Sequence, residues 1–183
     1  LKRRYAESIR VDVEKGYVRK ISVEELAQGE KDPQWYLPFH PVVKPNKPEK
    51  VRRVCNAASR FCRISLNEAL VPGPDLLSDL IGIFLRFRLF LVAITADIEA
   101  MFMQIEVPEK EQNFLRFLWR EEVNENSEVY QYTRHIFGAT SFPTVANFCV
   151  QQCARDNRLQ FPLAFEAVFD SFYVDDFLKS FVC

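Results

Sequence analysis

Apolar and polar residues change their spacing several times along these 183 residues, and each change marks an element. Ser22-Val23-Glu24-Glu25 is a capping-box sequence, and Leu26-Ala27-Gln28 carries a short helix to a stop at Gly29. Trp35 to Val43 reads as an extended edge strand, because Pro38 and Pro41 forbid helix there. A proline- and lysine-rich turn over residues 44–50 and a return through Val51 to Ala57 complete a basic β-hairpin. Beyond Pro72-Gly73-Pro74, Asp75 is placed to cap an amphipathic helix with Leu76, Leu77, Leu80, Ile81, Phe84 and Leu85 at helical spacing.

Leu89 to Ala96 is an unbroken apolar run of buried-strand type that delivers Asp97 at its end. A compact turn through Phe102 and Pro108 follows. Phe114 to Trp119 and Val129 to Ile136 then predict a strand pair around a polar loop. Gly138-Ala139-Thr140-Ser141 is a small-residue turn, and Pro143 opens a helix that Val145, Ala146, Phe148, Cys149 and Cys153 carry to Asn157. A proline-started segment, Pro162 to Phe169, leads into Phe172-Tyr173-Val174-Asp175-Asp176-Phe177-Leu178. Two apolar arms closing on adjacent acids are a β-hairpin signal. The order predicts an α+β domain with an antiparallel sheet.

Composition narrows the class. With 48% hydrophobic and 27% charged residues, the chain has material for a real core, and its 17 Phe residues should dominate that core. The most apolar stretch, Leu76 to Ile94, is broken by Asp79, Arg86 and Arg88, so no membrane span is expected. Leu1-Lys2-Arg3-Arg4 has neither an initiator Met nor an apolar signal core, and the chain stops at Cys183 within an apolar run. It reads as an excerpt from a longer polypeptide. Cys55, Cys62, Cys149, Cys153 and Cys183 lack the paired short spacings of a zinc site. Cys149 and Cys153 share one helix face, so buried reduced thiols in an intracellular compartment are expected.

The net charge of −1 conceals an asymmetry: residues 1–63 carry 15 Lys/Arg against 8 Asp/Glu, and the remainder carries 9 against 17. Such a chain suits gripping a polyanion with one part and holding cations with another. Asp175 and Asp176 repel one another, and a divalent cation is the usual relief, although adjacent aspartates are also ordinary turn residues. Asp97 supplies a third acid. If its strand lies beside the Tyr173 hairpin, Asp97 and Asp175 can share two divalent ions about 3.5–4 Å apart, the arrangement phosphoryl transfer uses. Oxygen ligands with no nearby His or Cys suit Mg²⁺ or Mn²⁺. Glu99 is an alternative third acid. His40 and His135 sit among apolar or strand residues and read as structural, while Tyr36, Tyr130 and Tyr132 suit base stacking and strand packing equally well.

Three segments in order carry a resemblance: Ile94-Thr95-Ala96-Asp97-Ile98-Glu99-Ala100-Met101-Phe102, Phe137-Gly138-Ala139-Thr140-Ser141-Phe142-Pro143, and Phe172-Tyr173-Val174-Asp175-Asp176. The series resembles the ordered polymerase motifs of reverse transcriptases, over roughly residues 35–182. Arg52-Arg53-Val54-Cys55-Asn56 followed by Ile64-Ser65-Leu66-Asn67 resembles the Pao/BEL class of long-terminal-repeat retrotransposons. The resemblance implies a polymerase palm-type antiparallel sheet backed by helices, with a basic β-hairpin fingers region, in truncated form. Residues 1–34 would be a lead-in with a short helix, 35–88 fingers-like and 89–183 palm-like, without thumb or ribonuclease H.

The same resemblance implies roles. Asp97, Asp175 and Asp176 take the catalytic carboxylate positions and hold two Mg²⁺ or Mn²⁺ ions. Backbone N–H groups around Ala100 and Met101 meet the incoming triphosphate, and Phe102 packs under the sugar and rejects a 2′-hydroxyl. Lys44 and Arg52 match cationic residues on the triphosphate, and the hairpin that also holds Lys47, Lys50 and Arg53 is an electrostatic clamp on nucleotide and template. Phe137, Gly138 and Pro143 fall in the motif beneath the templating pair, while Tyr173 and Val174 fall in the acidic motif beside the nucleic acid. Two positions depart from the pattern: Phe137 stands where many relatives have Gln, and Asn56 where many have Asp.

The implied activity is RNA- and DNA-templated DNA synthesis from deoxynucleoside triphosphates on a primer, in a chain continuous with other polyprotein domains. The implied location is the cytoplasm or retroelement particles. A truncated remnant that only binds nucleic acid is the alternative. Another two-metal phosphoryl enzyme, such as a nuclease, shares the acids but gives no reason for Phe102 or the basic hairpin.

Overall fold

The computed structural model of the chain describes residues 2–29, 32–122 and 126–182, except the side chains of Lys44 and of residues 47–50. It opens with α1 (Lys2–Glu14), β1 (Val18–Lys20) and α2 (Val23–Gln28), followed by β2 (Phe39–Lys44), β3 (Lys47–Cys55), β4 (Arg60–Phe61), β5 (Ile64–Ser65) and α3 (Leu66–Ala69). Next come α4 (Leu80–Phe87), β6 (Val92–Asp97), a 3-10 turn (Met101–Gln104), α5 (Glu109–Gln112), β7 (Arg116–Trp119) and β8 (Glu128–Tyr132). The last elements are α6 (Phe142–Asp156), α7 (Pro162–Ser171), β9 (Phe172–Tyr173) and β10 (Asp176–Phe181). The mixed α+β class with antiparallel sheets is as the residue pattern predicts.

These elements form two compact units, each discontinuous in sequence: Leu1–Val71 with Glu106–Thr140, and Pro72–Ile105 with Ser141–Cys183. The units cut across the division into residues 35–88 and 89–183, because the strand pair β7–β8 packs with the N-terminal elements. The reason is visible in the register. β1 pairs with β8 (Val18↔Tyr132) and β8 with β7 (Phe117↔Tyr130), so the N-terminal segment completes that sheet.

In the first unit, an aromatic cluster centres on Phe117, but the buried core is mostly aliphatic (Ile9, Val18, Ile21, Leu37, Leu115 and Ile136) and Phe61 and Phe137 are exposed, against the expectation that Phe dominates it. Phe117 is fully buried and contacts Phe39, Tyr130 and Tyr132 at centroid distances of 5.0, 5.7 and 5.0 Å. Tyr132, 2% exposed, is core and is out of reach for base stacking. The helix α1 is not foreseen from the sequence, although Tyr5, Ile9 and Val13 recur at i, i+4 and i+8. Ile9 is buried, and Tyr5 packs edge-on against Trp119. The capping box at Ser22 forms as expected, with Ser22 accepting from Glu25 N–H and the Glu25 carboxylate accepting from Ser22 N–H. β2 and β3 make the expected basic hairpin, with a tighter turn than residues 44–50, since Lys44 already pairs with Lys47.

In the second unit, the sheet order is β6-β10-β9, with antiparallel pairing throughout. Three expectations change here. The helix begins at Asp79, whose carboxylate accepts from Ile81 and Gly82 N–H, rather than at Asp75, which accepts only from Leu77 N–H in a local turn. Its buried face carries Ile83, while Ile81, Phe84 and Leu85 of the expected stripe are exposed. The apolar run ending at Asp97 is an exposed edge strand and not a buried one, because among the described residues β10 is its single strand neighbour and Val92 and Ile94 remain 43% and 46% exposed. Pro162–Ser171 is a helix. Cys153 is exposed and Cys149 half-buried, so the expected buried pair is absent from α6, and Cys55, Cys62, Cys149 and Cys153 are free thiols. Among the described residues, no helix is long and apolar enough to cross a membrane.

Candidate active site

Two adjacent strand pairs in the second unit build the acidic site. β9 and β10 close on a two-residue turn, Val174-Asp175, with Tyr173 paired to Asp176. Val174 takes φ +59°, a left-handed conformation that a β-branched residue adopts only under local strain. The tip is fastened to the end of β6 by Ile98 N–H, which donates to the Asp175 carbonyl at 3.0 Å. β10 then runs antiparallel to β6 with Asp176 directly opposite Asp97. Asp97 ends β6, Asp176 starts β10, and Asp175 occupies the turn between β9 and β10.

One carboxylate oxygen from each of Asp97, Asp175 and Asp176 lies within 4.8 Å of the others. Like charges opposite one another across a ladder destabilise it, so this register is costly until a cation neutralises it. The donor set is all hard oxygen, and Asp97 and Asp176 are exposed with Asp175 half-buried. That arrangement fits divalent ions of the Mg²⁺ type, whose oxygen contacts of about 2.1 Å span such spacings with modest side-chain rotation. Glu99 is exposed, does not join this cluster, and contributes its backbone carbonyl to Gln104.

The turn after Asp97 positions the next group of residues. Ala100 adopts φ +51°, which sends the chain into the 3-10 turn and buries Met101 (3% exposed) and Phe102 (7%). Met101 N–H donates to the Ile98 carbonyl at 3.2 Å, so this amide is engaged inside the turn, against the expectation that it faces a triphosphate. Pro143 is exposed in the first turn of α6, where its missing N–H costs nothing. Tyr173 and Val174 are half-buried beside the acids.

The remaining candidates belong to the first unit. Arg52 is exposed on β3, and the side chains of Lys44, Lys47 and Lys50 lie outside the described residues. Arg53, expected on nucleic acid, is instead turned inward: its side chain is 5% exposed, ion-paired with Asp12 of α1, and 5.8 Å from the Tyr132 ring centroid. A guanidinium held there is structural. Phe137 is half exposed. Gly138 is fixed by two constraints, φ +108° and a Cβ position that would stand 2.4 Å from the Cys55 carbonyl oxygen. Asn67 brackets this turn, donating to the Gly138 carbonyl at 3.0 Å and accepting from Thr140 N–H at 2.9 Å. In the sequence, Asn67 carries no signal beyond its place in the Ile64-Ser65-Leu66-Asn67 segment.

Burial pushes the His135 imidazole down to about 4, in keeping with a structural residue, whereas His40 is exposed on β2. Tyr130 stacks on Phe117 and Tyr36 is 40% exposed.

No protein-family model matches the chain, and no curated protein matches it. Solved structures do. The foamy viral protease-reverse transcriptase in complex with double-stranded DNA superimposes over 100% of this chain, with TM-score 0.67 and 18% identity. The same enzyme in complex with an RNA/DNA hybrid gives TM-score 0.67 and 17% identity over 100% of the chain, and a prototype foamy virus mutant gives 0.68 and 17% over 98%. The chain has a reverse-transcriptase-like fold. It spans 31%, 20% and 20% of those three chains, respectively.

Proposed function

We propose that this chain is the fingers-and-palm part of a reverse transcriptase and adds deoxynucleotides to a primer on RNA or DNA templates. The observation that carries the reading is the trio Asp97, Asp175 and Asp176, with oxygens within 4.8 Å of one another on a β-hairpin and its neighbouring strand, in a reverse-transcriptase-like fold. Two bound Mg²⁺ or Mn²⁺ ions would activate the primer 3′-hydroxyl and stabilise charge on the departing pyrophosphate. Asp97 and Asp175 would hold the ions, and Asp176, paired across the ladder with Asp97, would add negative potential.

The buried ring of Phe102 supplies a rigid wall under the sugar, able to exclude a 2′-oxygen by contact alone. Lys44 and Arg52 bind triphosphate oxygens, and Ala100 contributes backbone to the same group. Gly138, held by Asn67, and Pro143 underlie the templating pair, and Tyr173 and Val174 contact the primer end. Phe137 replaces a polar contact with an apolar one. By the order of their motifs, and not by the compact units, residues 35–88 are assigned as fingers-like and 89–183 as palm-like, within a polyprotein of the Pao/BEL class. The sequence Arg52-Arg53-Val54-Cys55-Asn56 supports that class, and four free thiols support a reducing, cytoplasmic setting.

The test is incorporation of a single deoxynucleotide onto primed RNA and primed DNA with Mg²⁺ or Mn²⁺, using the wild type and Asp175→Asn. Metal-dependent incorporation that Asp175→Asn abolishes is expected. Primer–template binding without incorporation would favour the inert remnant, and undiminished activity in Asp175→Asn would overturn the site.

A further inference from the structure

The helix α7 runs into β9 without a loop: Ser171 is its last residue, and Phe172, at φ −101° and ψ 134°, is already extended. There is no glycine or left-handed residue to close the last turn, so its final carbonyls need partners from elsewhere. Two donors come from α4 and the residues just before it. Ser78 Oγ donates to the Phe169 carbonyl at 3.3 Å, and Arg86 donates to the Asp170 carbonyl through Nε at 3.0 Å and Nη2 at 2.6 Å. A guanidinium at a helix C-terminus is also favoured by the helix dipole, and a charge-assisted bond is stronger than a neutral one.

Arg86 reaches the other arm of the hairpin as well. Its backbone carbonyl accepts from Ser180 Oγ at 2.9 Å, and Ser180 is a buried residue of β10. Asp170 and Ser180 lie five residues before and five residues after Asp175. One residue of α4 therefore holds the base of the acidic hairpin on both sides. The strained tip at Val174 sits between these two attachments, and Ile98 N–H, donating to the Asp175 carbonyl, fastens the turn itself.

We propose that Arg86 is a positioning residue for the carboxylate cluster, fixing the approach of Asp175 and Asp176 to Asp97 through the two flanks of the hairpin. The metal arm of this proposal rests on the reading of the cluster as a divalent-ion site, while the hairpin-ordering arm does not. Lys at this position keeps the charge but loses the two-nitrogen grip on one oxygen, and Gln loses both.

The test uses the whole chain with Arg86→Gln, Arg86→Lys and Ser180→Ala, and two readouts. Amide hydrogen exchange without metal reports the Ile98 N–H on the Asp175 carbonyl, with Val145 of α6 and Leu37 of the first unit as internal controls. Arg86→Gln is expected to speed exchange at Ile98 about tenfold while Val145 and Leu37 keep their rates, and Mn²⁺ binding should weaken about tenfold, as loss of a supporting contact around a metal site typically does. Arg86→Lys should recover part of both effects, and Ser180→Ala should reproduce them in milder form. Equal acceleration at Ile98 and Val145 would show general loosening and overturn the proposal, as would wild-type exchange at Ile98 in all three variants. If the wild type binds no Mn²⁺, the metal reading fails while the exchange data still decide the role of Arg86. Should Arg86→Gln not fold, Arg86→Lys and Ser180→Ala carry the same comparison.

Discussion

Asp176→Asn should stabilise the metal-free protein, and the size follows from the cluster. Two unit charges 4.8 Å apart repel by about 0.9 kcal/mol in water and by about 3.5 kcal/mol at an effective dielectric constant near 20. Asp97 and Asp176 are exposed, so the water limit applies, and removing one charge relieves two such pairs. Screening by salt reduces the gain to ~1 kcal/mol at moderate ionic strength. For a chain of this length that corresponds to a rise in Tm of about 2–4 °C. Thermal unfolding in EDTA, at low and high salt, measures it. The gain should shrink as salt rises. Added Mg²⁺ should raise the Tm of the wild type more than that of the variant, because binding to the folded state stabilises by mass action. A variant less stable than wild type in EDTA, with no salt dependence, would mean that the Asp176 carboxylate is held by a favourable partner, and the repulsion argument would fail.

Two further outcomes follow from the first unit. Gly138→Ala combines a positive φ with a methyl group 2.4 Å from the Cys55 carbonyl oxygen, and should cost more than about 2 kcal/mol in denaturant unfolding. A cost near zero would mean the Gly138 turn relaxes freely. His135, its imidazole pushed down to about 4 by burial against an ordinary 6.5, gains its proton first in the unfolded chain. Its contribution is therefore complete above pH 6.5 and is lost as pH falls toward 4, by ~2 kcal/mol after allowance for partial solvation. His135→Gln should flatten the stability profile in that window, and an unchanged slope would exclude His135 as its source.

The acidic hairpin was more legible in the sequence than the elements around it. The pattern of apolar residues around Asp175-Asp176 is local, and a two-residue turn between short strands is what such spacing encodes. Bringing Asp97 beside Asp175 needed only the assumption that the two strands are neighbours, but the register that sets Asp176 directly opposite Asp97 was not legible. Elsewhere the signals were ambiguous for physical reasons. Asp75 and Asp79 each precede a leucine or a helical stripe, and only the tertiary structure decides which begins the helix. Leu89 to Ala96 has the composition of a buried strand, but composition does not record whether anything covers it. Arg53 looked like a surface cation in a basic run, because its partner Asp12 lies 41 residues away. The helix α1 was obscured by its charged opening, Lys2-Arg3-Arg4, although Tyr5 and Ile9 mark its inner face.

The central claim, that Asp97, Asp175 and Asp176 form one divalent-metal site, is tested most directly by titrating Mn²⁺ into the isotopically labelled protein and following paramagnetic broadening. The account predicts that signals of Asp97, Ile98 and residues 173–177 broaden first, at substoichiometric metal, and that Asp97→Asn prevents it. Broadening that begins at other acidic positions, such as Glu121 and Glu122, and leaves the hairpin sharp would contradict it.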